Sequence, residues 1–422
     1  MKNFLNFLIE VNKLKQVPRT GWVWLEVKHP ETIADHMFRV TVFTWLLAKE
    51  GKLNEKRAIE IALFHDICEV YSGDMTPYFG LLPEDKKKRK EILKRWIRLP
   101  KEEKIKRSKE KFRIEKRSLV KLLKFLKPPL AEKILFSWLD YEKGITKEGK
   151  FVKQVDKIET LIQAIEYFGT KEDTPVVGWW EEAEELVNDP LLRDLLKVIE
   201  ENFYYKKKNK KLKNIESILD FIVKVNKLKQ TPRTGWALRG IKQGETIAGH
   251  SFALAITSWV LPQTLKKRLS IERLVKMALS HELCEVFAGD ATPYEFLKSR
   301  QKMKFQKWIR LSQKEKKESF KKDFKKEKKA LQELIKNLPQ NSKKEIFLLW
   351  KDFKEQKSKE ARYLNQFYVF NTLLQALLYW QEDKKFPIAP WWEWAFERVE
   401  SSEVLELLKE LKKRFYNSRQ AF

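Results

Sequence analysis

The feature that most constrains this chain is an internal duplication. VNKLKQVPRTGW at residues 11–22 returns as VNKLKQTPRTGW at residues 225–236, 11 of 12 residues identical at an offset of 214. ETIADHMF becomes ETIAGHSF, HDICEVYSGDMTPY becomes HELCEVFAGDATPY, and the pair Trp179–Trp180 becomes Trp391–Trp392. All offsets fall between 212 and 216, so one whole unit of ordinary domain size was copied with small insertions and deletions. The join is expected at KKKNKKLK, residues 206–213, a polar basic stretch suited to a linker. That gives an N-terminal domain over 1–205 and a C-terminal domain over 214–422.

The apolar periods are helical. Ile33, Met37, Val40 and Phe43 recur at helical spacing after Pro30 and Glu31, predicting a helix over 31–49 with His36 beside its apolar stripe. Residues 55–71 carry Ile59, Ile61, Ala62, Leu63, Phe64, Ile67, Cys68 and Val70 on nearly every face, the pattern of one enclosed helix. Residues 151–167 read as a third, amphipathic helix with Asp156 at the edge of its stripe. With 13 Gly and 15 Pro in 422 residues and no alternating run, the chain is expected to be all-α. The apolar run 252–261 is too short to cross a bilayer and is closed by Pro262, so no membrane partner is expected. Two cysteines make no disulfide framework, and Cys68 and Cys284 are expected in the core of a cytoplasmic protein.

The net charge of +28 is concentrated in two places. Residues 83–127 hold 20 Lys/Arg against 7 Asp/Glu, and residues 297–337 hold 16 against 5, each just after the GD(M/A)TPY turn of its copy. Each contains a tryptophan, Trp96 or Trp308, in a WIRL context. Lysine interleaved with aromatic residues suits single-stranded nucleic acid, whereas the same pattern on an amphipathic helix is a packing anchor with a solvated face.

The enclosed segment carries His65, Asp66 and Glu69, with no Lys or Arg between Ile59 and Asp74. Burying such carboxylates without a counter-charge is unfavourable, so a cation is expected there, and imidazole with carboxylate oxygens suits a divalent metal: Mn, Co, Mg, Fe, Ni or Zn. Four of the five histidines, His36, His65, His250 and His281, occupy two pairs of equivalent positions. A histidine, a His-Asp doublet and a later aspartate, each from a different helix, would then meet at one point.

ETIADH, FHDICEVYSGD and FVKQVD resemble the HD-domain metal phosphohydrolases, and the wording PRTGW with GD(M/A)TP resembles their 5′-deoxynucleotidases. The resemblance covers about Leu5 to Glu166 outside the basic insertion. It implies two tandem HD-domain helical bundles, with His36, His65, Asp66 and Asp156 as ligands of one divalent cation. It also implies that Glu69 and Asp74 position or activate water, that Arg19 holds the phosphate, and that Trp22 and Thr76 lie around the nucleotide. The implied substrate is a deoxynucleoside 5′-monophosphate. A lowered pKa of metal-held water, a carboxylate to accept its proton and a guanidinium for the phosphate are what that hydrolysis requires.

Copy two keeps Arg233, His250, His281, Glu285 and Asp290, but Asp66 has become Glu282 and Asp156 has become Tyr368. Two histidines and a longer carboxylate leave a weak or empty metal site, so catalysis is expected in copy one. Copy two is then either a nucleotide-binding site without turnover or the structural half of an internal pseudo-dimer, since oligomers favour two-fold pairing. Two other functions compete: an HD hydrolase of another phosphoester, and a nucleotide-sensing or nucleic-acid-binding protein that uses the basic insertions.

Overall fold

A computed structural model of the chain describes residues 2–76, 78–93, 99–171, 174–290 and 313–416. Trp96, Trp308 and much of the second basic insertion lie outside the described residues. Among the described residues there is no strand, only the isolated bridges Pro18–Thr32 and Pro232–Thr246, so the fold is all-α. The longer helices of copy one are α1 (Lys2–Asn12), α2 (Ile33–Glu50), α3 (Glu55–Phe64), α4 (Lys101–Leu123), α5 (Pro128–Lys143), α6 (Lys147–Phe168) and α7 (Pro190–Phe203). Copy two follows with α8 (Lys213–Val225), α9 (Ile247–Thr264), α10 (Ile271–Ser280), α11 (Gln313–Ile335), α12 (Gln340–Glu355) and α13 (Lys359–Glu382).

The enclosed segment differs from the single helix expected over 55–71. It stops at Phe64, turns through His65–Cys68, and resumes as the short helix Glu69–Ser72. Three-residue hydrogen bonds carry the turn, Ile67 N–H to Phe64 O and Glu69 N–H to Asp66 O, so the His-Asp doublet sits on a tightened corner. Helix α9 runs on through Pro262, which closes the apolar run, and ends at Thr264. No helix among the described residues is long and apolar enough to cross a membrane.

The two compact units do not follow the copies from end to end. One comprises Lys13–Asn226 with Asn337–Pro339; the other comprises Met1–Asn12, Lys227–Lys336 and Gln340–Phe422. The expected split at 206–213 therefore misplaces the first helix of each copy. Helix α8 packs on α2 and α7, in the unit otherwise built from copy one, while α1 packs on α9 in the other. Both helices bury one apolar face, Leu5, Leu8 and Val11 in α1 and Ile218, Phe221, Ile222 and Val225 in α8. The two faces are similar rather than identical, Leu8 standing where α8 has Ile222, and each helix joins the unit built mainly from the other copy. The basic join itself is held: the Asn209 side chain donates to Glu201 at 2.7 Å and its backbone N–H donates to Glu216 at 3.2 Å.

The first basic insertion is a packing helix as well as a charged one. Along α4, Leu119, Leu122 and Leu123 are buried, and Phe112 stacks on Trp138 with ring centroids 5.2 Å apart. Copy two repeats the device with Phe324 on Trp350.

Candidate metal centre

Helix α2 begins where it does because Thr32 and Asp35 form a capping box, Asp35 N–H donating to Thr32 Oγ1 at 3.2 Å and Thr32 N–H to Asp35 Oδ2 at 3.0 Å. This start places His36 one turn inside, fully buried. The corner after α3 supplies His65 and Asp66, and α6 supplies Asp156. Their atoms converge: His36 Nε2 lies 3.0 Å from Asp156 Oδ1 and 3.4 Å from His65 Nε2, and His65 Nε2 lies 3.2 Å from Asp66 Oδ2. Asp66 Oδ2 is also 3.7 Å from His36 Nε2.

The outer nitrogens explain why the inner ones face inward as acceptors. His65 Nδ1 donates to Ala62 O at 2.7 Å, and His36 Nδ1 donates to Glu159 Oε2 at 2.6 Å. Nε2 of each ring then faces the two carboxylates, an arrangement completed by positive charge at its centre, either a proton on His36 Nε2 or a metal ion. Tyr141 orients the fourth group by donating to Asp156 Oδ2 at 2.7 Å. His36, His65 and Asp156 each offer an atom within 4.8 Å of the others, donor types suited to a divalent ion, and Asp66 stands beside the two imidazoles at the edge of that group.

The sequence reading missed the group behind them. Arg39 is fully buried and donates to Glu159 at 2.6 Å, Glu166 at 2.7 Å and Gln163 at 3.0 Å, fixing the carboxylate that orients His36. Comparing the copies held the signal: Arg39, Glu159 and Glu166 correspond to Ala253, Asn371 and Leu378, charges that vanish together from otherwise apolar stripes.

Burial and Arg19 oppose the charged form of His36, but Glu159 and Asp156 outweigh them and raise its pKa to about 9. Asp66 and Asp156 are held below the ordinary carboxylate range; burial works against this, and His65 and His36 with Lys157 overcome it. A proton and a metal ion therefore compete at His36. Below a pH of about 9 the affinity for Mn²⁺ should weaken about tenfold per unit as the pH falls. Mn²⁺ titrations between about pH 6.5 and 8.5 test this; a pH-independent affinity would remove His36 from the ligand set.

Around the cluster, the PRTGW turn is fastened to the start of α2 by Arg19 N–H to Glu31 O at 3.0 Å and Ile33 N–H to Val17 O at 2.9 Å. Arg19 points one terminal nitrogen at Thr160 Oγ1, 3.4 Å away, and its other, Nη1, is buried without a hydrogen-bond partner. Asp74 Oδ2 accepts from Thr20 N–H at 2.6 Å and lies 3.8 Å from Arg19 Nε, tying the turn to the segment after Glu69. Glu69 is buried with Oε2 unpartnered. Burial, reinforced by Asp66 and Asp74, pushes its carboxyl well above the usual range against the pull of Lys111 and Arg19. Lys111 comes from α4, so the basic insertion delivers one cation to the rim of this cluster.

Trp22, expected beside the nucleotide, is instead 1% exposed: its indole donates to Glu31 at 2.9 Å and packs against Trp179, 4.9 Å between rings. It backs the turn that carries Arg19. Thr76 is half-buried, its hydroxyl accepting from Tyr78 N–H at 3.2 Å within its own turn.

In copy two the corresponding site is built differently. Glu282, His250 and His281 stand close enough to form a group, but Arg233 enters it. Its Nη2 donates to Tyr368 Oη at 2.6 Å and Glu282 Oε1 at 3.2 Å, and its Nη1 lies 3.1 Å from His250 Nδ1. Asp290 accepts from Thr234 N–H as Asp74 does from Thr20, and Glu285 is buried with Oε2 unpartnered like Glu69. His250 is held down to about pKa 4 by burial and Arg233, the opposite of His36.

The chain matches the model of the HD domain twice, over residues 11–182 and 225–393. It is 35% identical over 166 residues to the 5′-deoxynucleotidase HDDC2 of Xenopus laevis, covering 39% of this chain and 70% of that protein. It is 32% identical over 216 residues to the 5′-deoxynucleotidase hdd1 of Schizosaccharomyces pombe, 49% of this chain and 94% of that one. A solved structure, the PH0347 protein of Pyrococcus horikoshii, aligns over 47% of this chain and 99% of its own at 25% identity, with a TM-score of 0.35. The chain therefore belongs to the HD-domain family, as two tandem copies related to its 5′-deoxynucleotidases.

Proposed function

We propose that copy one removes the 5′-phosphate from deoxynucleoside 5′-monophosphates with a divalent cation held by His36, His65, Asp66 and Asp156. The observation that carries this reading is the convergence of His36, His65 and Asp156, with Asp66 next to both histidines, beside Arg19, whose Nη1 has no hydrogen-bond partner among the described residues. A divalent cation held there by those residues would supply Lewis acidity toward a phosphoryl oxygen and a water molecule. Arg19 offers its unpartnered nitrogen to the phosphate, and Asp74 fixes the turn that aims it. Glu69, whose carboxyl pKa is raised by burial and whose Oε2 has no hydrogen-bond partner among the described residues, is suited as a carboxylate to take a proton from water. The likeness to proteins named 5′-deoxynucleotidases supports the substrate class.

Phosphate release from a panel of deoxy- and ribonucleoside 5′-monophosphates, after chelation and with each metal restored in turn, tests the proposal. Metal-dependent release from the deoxy series is expected; equal release in chelator would end it. We also infer that copy two serves copy one in cis as its pseudo-dimer counterpart, because each compact unit contains the other copy's first helix.

The nucleic-acid reading has no comparable support, since α4 spends its aromatic Phe112 on packing against Trp138. Replacing the exposed Lys106, Lys109 and Lys116 by Gln should leave turnover of small nucleotides within about twofold, because exposed charge mainly steers encounter. Lys111→Met, by contrast, should shift the acid limb of the pH–rate profile upward by removing a charge that lowers the pKa of Glu69. Unshifted profiles would show that α4 takes no part in the site.

A further inference from the structure

We infer that the second site has exchanged its metal for an internal cation: Arg233 occupies the role of the divalent ion, and His250 carries its proton on the nitrogen that a metal would need. The contrast with copy one is chemical, beyond a count of lost ligands. In copy one the outer nitrogen of His36 meets a carboxylate, Glu159, which accepts a hydrogen bond from Nδ1–H and leaves Nε2 as the nitrogen that can ligate once its own proton is displaced. In copy two Glu159 is replaced by Asn371, and Arg39, which held that carboxylate, by Ala253. The outer nitrogen of His250 meets Arg233 Nη1 at 3.1 Å, with Glu245 Oε1 farther away at 3.5 Å.

A guanidinium has donors and no acceptor, so at that contact His250 Nδ1 accepts. A neutral imidazole that accepts at Nδ1 bears its hydrogen at Nε2, and an N–H has no lone pair with which to ligate. His281 keeps the arrangement of His65, Nδ1 donating to Ala278 O at 2.7 Å, so one histidine of the pair has switched tautomer and the other has not. Glu245 Oε1 already accepts from Trp236 Nε1 at 3.0 Å, which weakens its claim on the His250 hydrogen.

The charge at the centre is satisfied by the same guanidinium. Arg233 donates to Glu282, the residue in the doublet position, and to Tyr368, which replaces the fourth ligand. The tyrosine is what makes the move possible: its hydroxyl accepts at 2.6 Å and its ring lies 5.4 Å beneath the guanidinium carbon, whereas Asp156 in the same place is turned to His36. Both terminal nitrogens of Arg233 are engaged, while Arg19 keeps one unpartnered. Copy two is therefore closed to a divalent ion and has no terminal arginine nitrogen left for a phosphate.

The test reads histidine tautomers directly. The full chain, labelled with ¹⁵N-histidine and freed of metal by chelation, holds only five histidines, so long-range ¹H–¹⁵N correlations resolve them. His250→Gln assigns the line; if that variant does not fold, His29→Gln, His36→Gln, His65→Gln and His281→Gln assign it by elimination. His250 is expected as the Nε2–H form, and its line and that of His281 should stay in place as Zn²⁺ is added past one equivalent while those of His36 and His65 move. A His250 in the Nδ1–H form, or a His250 line displaced by stoichiometric Zn²⁺, overturns the inference. Immobile His36 and His65 lines would instead count against the metal reading of copy one and leave the result for copy two standing.

Discussion

Asp66→Ala should abolish metal-dependent phosphate release, lowering kcat/KM by roughly a thousandfold or more. A divalent ion contributes several kcal/mol of transition-state stabilisation, and each ~1.4 kcal/mol is a factor of ten. Of the proposed ligands Asp66 has the least other work among the described residues: its Oδ2 lies 3.2 Å from His65 Nε2 and 3.7 Å from His36 Nε2. Removing it also leaves two imidazole lone pairs facing a single carboxylate, so the site loses affinity as well as chemistry. Glu69→Gln separates the roles, because it keeps the shape of a side chain outside the ligand set. It should retain bound metal and still lose turnover, about a hundredfold or more if Glu69 is the base. Asp66→Ala at wild-type rate with metal present would remove copy one as the catalytic site, and Glu69→Gln at wild-type rate would make Glu69 structural.

The second large effect should come from a residue that touches neither metal nor substrate. Arg39→Met takes the guanidinium from the fully buried Glu159 and the half-buried Glu166, and breaking a buried pair such as Arg39–Glu159 costs about 3 to 5 kcal/mol. For a unit of this size that lowers Tm by roughly 10 °C. The same change frees Glu159 from the position in which it orients His36, so metal affinity should fall about 10- to 100-fold. Calorimetry and Mn²⁺ titration together check it. A Tm loss with unchanged metal affinity would make Arg39 a stability residue alone, while no change in either would show that the buried network is not held as described. Copy two supplies the natural control, since Ala253, Asn371 and Leu378 remove the whole network at once and His250 there is turned to Arg233 instead.

The duplication, the helical class and the unmet charge that draws His36, His65 and Asp156 together were legible in the sequence, and the reason is physical. Helical periods and repeated wording are local properties, and carboxylates on an enclosed segment without Lys or Arg announce an unmet charge before any coordinates exist. What the tertiary structure decided was each matter in which similar local sequences had two available partners. The faces of α1 and α8 are similar, and only the folded chain shows each in the other copy's unit. The corner at His65–Cys68 lies within an unbroken apolar pattern, and packing, not propensity, bends it. PRTGW is identical in both copies, yet Arg19 keeps an open nitrogen and Arg233 fills a metal's place. The residues that separate them, Glu159 against Asn371 and Asp156 against Tyr368, stand more than a hundred positions away along the chain and meet the arginine turn only once the helices have packed.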